Sequence, residues 1–196
     1  MSMEALGQQP VRVRNAAATR EAILVAARGR FVKESYDSVG LRDIAADAGV
    51  DVALVGRYFG GKEKLFAEVV GEGGADWLQP IPTGQDLPER LTKLFLDLDD
   101  AEHRDHAQRL LIILRSSSSP VAAAIVREAL NRDVLQPLAS CLAGEGSEAR
   151  ASLAMAVWMG VTMLRTVMAV EPMSDGKCDV VDAKLALLYE AALAEL

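Results

Sequence analysis

The segment Ser38–Phe66, SVGLRDIAADAGVDVALVGRYFGGKEKLF, is the part of the chain that leaves the fewest folds open. Leu41, Ile44, Ala45 and Ala48 recur at helical spacing and form one apolar face. Gly49 follows, where a residue with φ > 0 lets the chain reverse after a helix end. Val50 fills the corner, and Asp51 is suited to cap the next helix. In that helix, Val52–Phe59, the spacing turns Leu54, Val55 and Phe59 inward and leaves Val52, Ala53, Gly56 and Arg57 outside. Two short helices around a tight turn predict a helix-turn-helix. The small, basic outer face of its second helix suits the DNA major groove, which admits one α-helix.

A net charge of −7 conflicts with a nucleic-acid partner until it is divided along the chain. Residues 11–64 carry 10 Lys+Arg against 7 Asp+Glu, whereas residues 65–196 carry 11 against 20. Screening confines phosphate attraction to about 8 Å in physiological salt. A mildly basic head on an acidic body therefore binds DNA, weakly where no base contact helps. The hydrophobic share of 51% with 25% charged residues is that of a globular protein. The longest apolar run, Leu153–Leu164, is shorter than the roughly 20 residues of a membrane span. No apolar stretch follows Arg12 and Arg14 as a secretory signal requires. Cys141 and Cys178 lie outside metal-ligand spacing and suit reduced thiols. A cytoplasmic protein without membrane contact is expected.

No period-2 pattern occurs, so the expected fold is all-α with about nine helices. Residues 1–14 read as a flexible tail, with Arg12 and Arg14 near DNA, and residues 15–61 as a helix-turn-helix head. The first helix of that head runs from the Asn15 cap to Glu34, with Ile23, Ala26, Ala27 and Phe31 inward and the stem of Arg30 along the apolar edge. Residues 62–196 form a larger helical domain that begins with a linker helix over 62–72. Gly71, Gly73, Gly74, Pro80, Pro82 and Gly84 mark the loop after it. Further helices are expected from the Asp86 cap to Asp100, over Glu102–Ser116, from Pro120 to Ala143 with a kink at Pro137, over Ser147–Val170, and over Asp179–Leu196 after a turn at Pro172.

The head resembles the TetR family of bacterial transcription regulators. The likeness rests on Thr19-Arg20-Glu21, Ile23-Leu24, Ala26-Ala27 and Phe31, then Tyr36, Arg42-Asp43-Ile44-Ala45 and Ala48-Gly49-Val50, then Tyr58-Phe59, Lys62-Glu63 and Leu65. The resemblance implies a homodimer, a ligand-sensing C-terminal domain, and repression relieved by a small molecule. Two positions depart from the family pattern. Gly40 stands where a Ser or Thr usually starts the second helix, and Gly56 stands where the recognition face usually carries Tyr or His.

Arg42, Asp51, Val52, Ala53, Gly56, Arg57, Tyr58 and Lys62 are the candidate DNA-contacting residues. Arg57 suits a guanine edge, a phosphate, or an ion pair with Asp51 or Glu63. Lys62, after Gly60-Gly61 at a helix start, suits a phosphate. Tyr58 packs in the core, with or without its hydroxyl on a phosphate. An apolar effector pocket is expected near Leu111, Leu114, Arg115, Val126 and Trp158. Most of the Met-rich helix that holds Trp158 reads as core and dimer interface, with Val157, Val161, Leu164 and Leu188 as interface residues. His103, Asp105 and His106 read as a solvated helix start rather than a metal site, and no cofactor is implied. The serines at 116–119 read as a helix break, and Cys141 and Cys178 as thiols without a basic neighbour to activate them. The resulting expectation is a homodimeric repressor, released from a palindromic operator in double-stranded DNA by a small hydrophobic effector. An all-α cytosolic enzyme or a non-specific DNA-binding protein are the alternatives.

Overall fold

The computed structural model describes residues 10–71, 87–89, 91–92, 100–171, 173 and 179–195, and all regular structure among them is helical. The loop glycines and prolines after Gly71, the Asp86 cap, Pro172 and Cys178 lie outside the described residues, as do the side chains of Arg12, Arg14 and His103. Helix α1 is Pro10–Lys33. It begins ahead of the expected Asn15 cap, so residues 10–14 are helical rather than tail; proline loses nothing at a first helical position. It buries Ile23, Leu24, Ala27 and Phe31. A 3-10 turn, Tyr36–Ser38, leads into α2 (Leu41–Asp47), α3 (Val52–Phe59) and α4 (Lys62–Gly71). Phe66 meets Phe31 and Tyr36 edge-on, each ring centroid 4.9 Å away, the arrangement the ring quadrupole favours. Arg30 does more than lie along an apolar edge. Its Nη2 donates to Asp47 Oδ1 at 2.8 Å and its Nη1 to Glu34 Oε1 at 3.2 Å, fastening α1 to the end of α2.

The chain continues as α5 (Asp100–Ser116), α6 (Pro120–Leu130), a π turn at Asn131–Leu135, and α7 (Gln136–Ser140). Then come α8 (Ser147–Thr162), a second π turn at Met163–Val167, and α9 (Asp179–Leu193). The strain expected at Pro137 is taken up before it. The ring crowds the carbonyl four residues back, at Asp133, and the Gln136 N–H reaches back five residues to Asn131 O. The coil widens there.

Two apolar clusters hold the helices. The first joins Ile23, Phe31, Ile44, Val55, Phe66 and Val70 to Ile112, Ala122, Val126 and Ala129, so α1–α4 share one core with α5 and α6. Two polar contacts reinforce that junction: Ser119 Oγ donates to Asp37 Oδ1 at 3.0 Å, and Arg115 Nη1 to Lys33 O at 3.4 Å. The second cluster holds Leu138, Ala151, Ala154, Leu185, Tyr189 and Leu193, from α7, α8 and α9. Beside it the buried Arg150 donates from Nη1 to Leu193 O at 3.0 Å and from Nη2 to Ala143 O. A cation thus closes the C-terminal end of α9, where the helix dipole favours it.

Phe66→Ala empties the centre of the shared core and is expected to cost about 3–5 kcal/mol in urea-induced unfolding. A loss below about 1 kcal/mol would show that this ring does not hold the head to α5 and α6. A second expectation concerns acid. The hydrogen bond from Arg30 holds the Asp47 carboxyl below its usual value. Its stabilising effect is therefore complete above the unfolded value of about 4 and is lost as pH falls through the lower folded one. Arg30→Gln is expected to flatten that acid limb in pH-dependent melting, and an unaltered limb would show that the pair contributes nothing.

Candidate nucleic-acid interface and cavity

The recognition helix is fixed at both ends by its own sequence. Asp51 caps α3, its Oδ1 accepting from the Ala53 N–H at 2.8 Å. Gly49 before it takes φ 66° and Gly60 after it takes φ 76°, left-handed values that suit glycine. Within α3 the sides divide as the spacing predicts. Val55 and Phe59 are buried and Leu54 half-buried, while Val52, Ala53, Gly56 and Arg57 are exposed. Arg57 makes no ion pair among the described residues; neither Asp51 nor Glu63 holds it. Tyr58 is half-buried and packs against the core of the head. A Cβ built on Gly56 meets nothing within 4 Å.

Helix α2 starts at Gly40, and Arg42 in its first turn is exposed. The Asp43 carboxylate folds back over this start: a Cβ at residue 40 would lie 2.7 Å from Asp43 Oδ2. The third helical position is where an acidic side chain reaches towards its own cap. Lys62, the first residue of α4, lays its ammonium over the Tyr36 ring, 4.4 Å from the centroid. Burial lowers its pKa, and Asp37 opposes the change. Arg20 of α1 sits over the Phe59 ring at 4.9 Å and pairs with Glu68 of α4. The last residue of the recognition helix is thus held from two neighbouring helices.

A small cavity of about 40 Å³, open at its mouth, lies among α4, α5, α6 and α8. Val126 and Trp158 line it, as expected. Leu111, Leu114 and Arg115 do not. The inward side of α5 is instead His106, Arg109, Leu110 and Ile113, with Leu114 43% exposed and Arg115 bonded to α1. Leu110–Leu114 is an unbroken apolar run, so its helical phase cannot be taken from the run itself. Met155, one turn before Trp158, and Met159, directly after it, complete the α8 wall. The π turn adds Asp133 and Val134. The His106 and Trp158 rings meet edge to face, 5.2 Å apart; His106 is therefore a wall of this cavity rather than part of a solvated helix start.

The residues expected at a dimer interface also separate. Val157 and Val161 pack against the second apolar cluster of their own chain. Leu164 is 39% exposed and Leu188 52% exposed, alongside exposed Leu153, Val180 and Leu187. Among the described residues no helix is long and apolar enough to cross a membrane.

Two family models match the chain. One, described as bacterial regulatory proteins of the tetR family, covers residues 23–69, and the other, described as tetracyclin repressor-like, C-terminal domain, covers residues 85–191. Among solved structures, a TetR-family regulator from Streptomyces coelicolor A3 is 28% identical, with a TM-score of 0.52 over 97% of this chain and 100% of its own. GusR of Salmonella enterica is 16% identical, with a TM-score of 0.70 over 95% of this chain and 97% of its own. SmeT, solved with triclosan, is 24% identical, with a TM-score of 0.67 over 91% of this chain and 92% of its own. The last two are likenesses of fold. No curated protein sequence matches the chain.

Since position 56 has open space around it and an ordinary helical neighbourhood, Gly56→Ala is expected to stabilise the head by up to about 1 kcal/mol. Thermal unfolding checks this; a lower melting temperature would show that the glycine is required by the fold.

Proposed function

Because the chain belongs to the TetR family of bacterial regulatory proteins, a family of DNA-binding transcription regulators, we propose that it works in the cytoplasm as a homodimeric repressor of a palindromic operator. In this reading residues 15–61 bind DNA, and residues 62–196, with 62–72 as linker helix, dimerise and sense a small apolar effector. The observation that carries the proposal is the outer face of α3, where Val52, Ala53, Gly56 and Arg57 all face solvent between two fixed ends. Small residues let the helix approach base edges, and Arg57 supplies the fork that matches guanine O6 and N7. Arg42 and Lys62 flank this face, one at the start of α2 and one at the start of α4, where backbone N–H groups favour phosphate.

The exposed leucines of α8 and α9 support the dimer. Leu153, Leu187 and Leu188 on these helices, and Leu164 in the π turn after α8, are all exposed, and two helices per copy suffice for a four-helix interface. The apolar walls of the cavity support the effector, and SmeT, of similar fold, was solved with triclosan.

The deciding experiment is a binding titration of the purified protein against the intergenic DNA upstream of its own gene. A dimer on a pseudo-palindrome with half-site centres about 34–36 Å apart is expected. A monomer in sedimentation at micromolar concentration, both free and on DNA, would overturn the proposal. Leu188→Arg is expected to weaken dimerisation and operator binding together, since it leaves the fold of one copy intact and buries a charge in the pair. Lys62→Ala is expected to weaken binding to all sequences and lower the salt slope by about one unit per half-site. Arg57→Ala is expected to cost about 1–3 kcal/mol on the operator and little on scrambled DNA. Equal losses on both at matched salt would make Arg57 a backbone contact.

A further inference from the structure

We propose that the cavity among α4, α5, α6 and α8 takes an organic anion with an apolar, aromatic body, its anionic group seated on Arg109. This deepens the ligand-responsive reading above and rests on it. The walls are of two kinds. Trp158, Met155 and Met159 from α8 face Ile113 and Val126 and offer a flat, polarizable slot suited to a ring. Arg109 projects into the same space from α5, one turn before Ile113. The carboxylate in the wall, Asp133, is already engaged by Arg132, which donates to it at 2.6 and 2.7 Å. Arg109 therefore remains the positive group of an apolar cavity, where a carboxylate or sulfonate makes a charge-assisted pair stronger than it would in water.

Arg109 also has a like-charged neighbour across the helix packing. Burial and the charge of Arg28 on α1 both lower its pKa, against a smaller opposing effect of Asp105. Since α1 and α5 pack directly and share the first apolar cluster, occupancy of the cavity bears on the DNA-binding head without any intermediary.

Anilinonaphthalenesulfonate and its uncharged counterpart phenylnaphthylamine share an aromatic body and differ in the sulfonate, so the pair isolates the charge. Fluorescence titration of the full-length protein is expected to give the sulfonate a Kd about tenfold lower than that of the neutral dye. Arg109→Met is expected to remove that preference and leave the neutral dye within about twofold of its original Kd; Arg109→Lys, which keeps the charge, is expected to retain most of it. Trp158→Ala is expected to weaken both dyes. Equal affinity of the two dyes for the unmodified protein would overturn the proposal, and that comparison needs no variant to fold. A sulfonate preference that survives Arg109→Met, or dye binding that survives Trp158→Ala, would place the anion elsewhere and overturn it as well. A DNA titration of the same preparations separates the two readings: operator binding without a sulfonate preference refutes the anion and leaves the regulator standing.

Discussion

The packing of Phe66 between Phe31 and Tyr36 is the contact on which the arrangement of the molecule depends. It brings the fourth helix, the first helix and the turn between α1 and α2 to one point, and the same cluster extends into α5 and α6. Val70, Val126 and Ala129 belong both to this cluster and to the cavity wall. A protein interior is close-packed, so a displacement of those side chains is not absorbed locally. The head and the cavity are therefore neighbours through shared atoms, not sites linked across a distance.

Magnitudes decide which contacts set this geometry. The partly exposed pairs Arg30–Asp47 and Arg20–Glu68 belong to a class worth about 0–1 kcal/mol each. Burying one aromatic or branched side chain is worth about 1.5–3 kcal/mol, and the first cluster contains many. The pairs orient helix ends that the core has already brought together. The turn Tyr36–Ser38 shows the division of labour: Tyr36 is buried, Lys62 covers its outer face, and Asp37 beside it accepts from Ser119 of α6. One short turn thus touches α4 on one side and the start of α6 on the other.

The head was legible because its signals are local and mutually exclusive. Gly49 and Asp51 fix where α2 ends and α3 begins, and eight residues with a known start have only one phase. The cavity was half legible. Val126 and Trp158 line it as expected, whereas Leu110–Leu114 is apolar throughout and hid the side of α5 that turns inward. Arg109 was passed over, and His106 was read as solvated, because a polar residue beside an apolar run looks like a solvated flank. The signal that would have marked them is a spacing of four residues, from Arg109 to Ile113 and from His106 to Leu110. α8 is apolar nearly all round, so only the positions of α7 and α9 decide which side each of its residues faces. The π turn before Pro137 has no sequence signature beyond the proline itself.

The open space around Gly56 has a consequence for how such a protein diversifies. Most positions on a DNA-reading helix are constrained twice, by the base they meet and by the core they support. Position 56 is released from the second constraint, because a Cβ added there meets nothing within 4 Å. On the proposed reading, a duplicated copy can exchange this residue for another that the helix tolerates and shift to a different operator, while its parent keeps the original site and both keep the same scaffold.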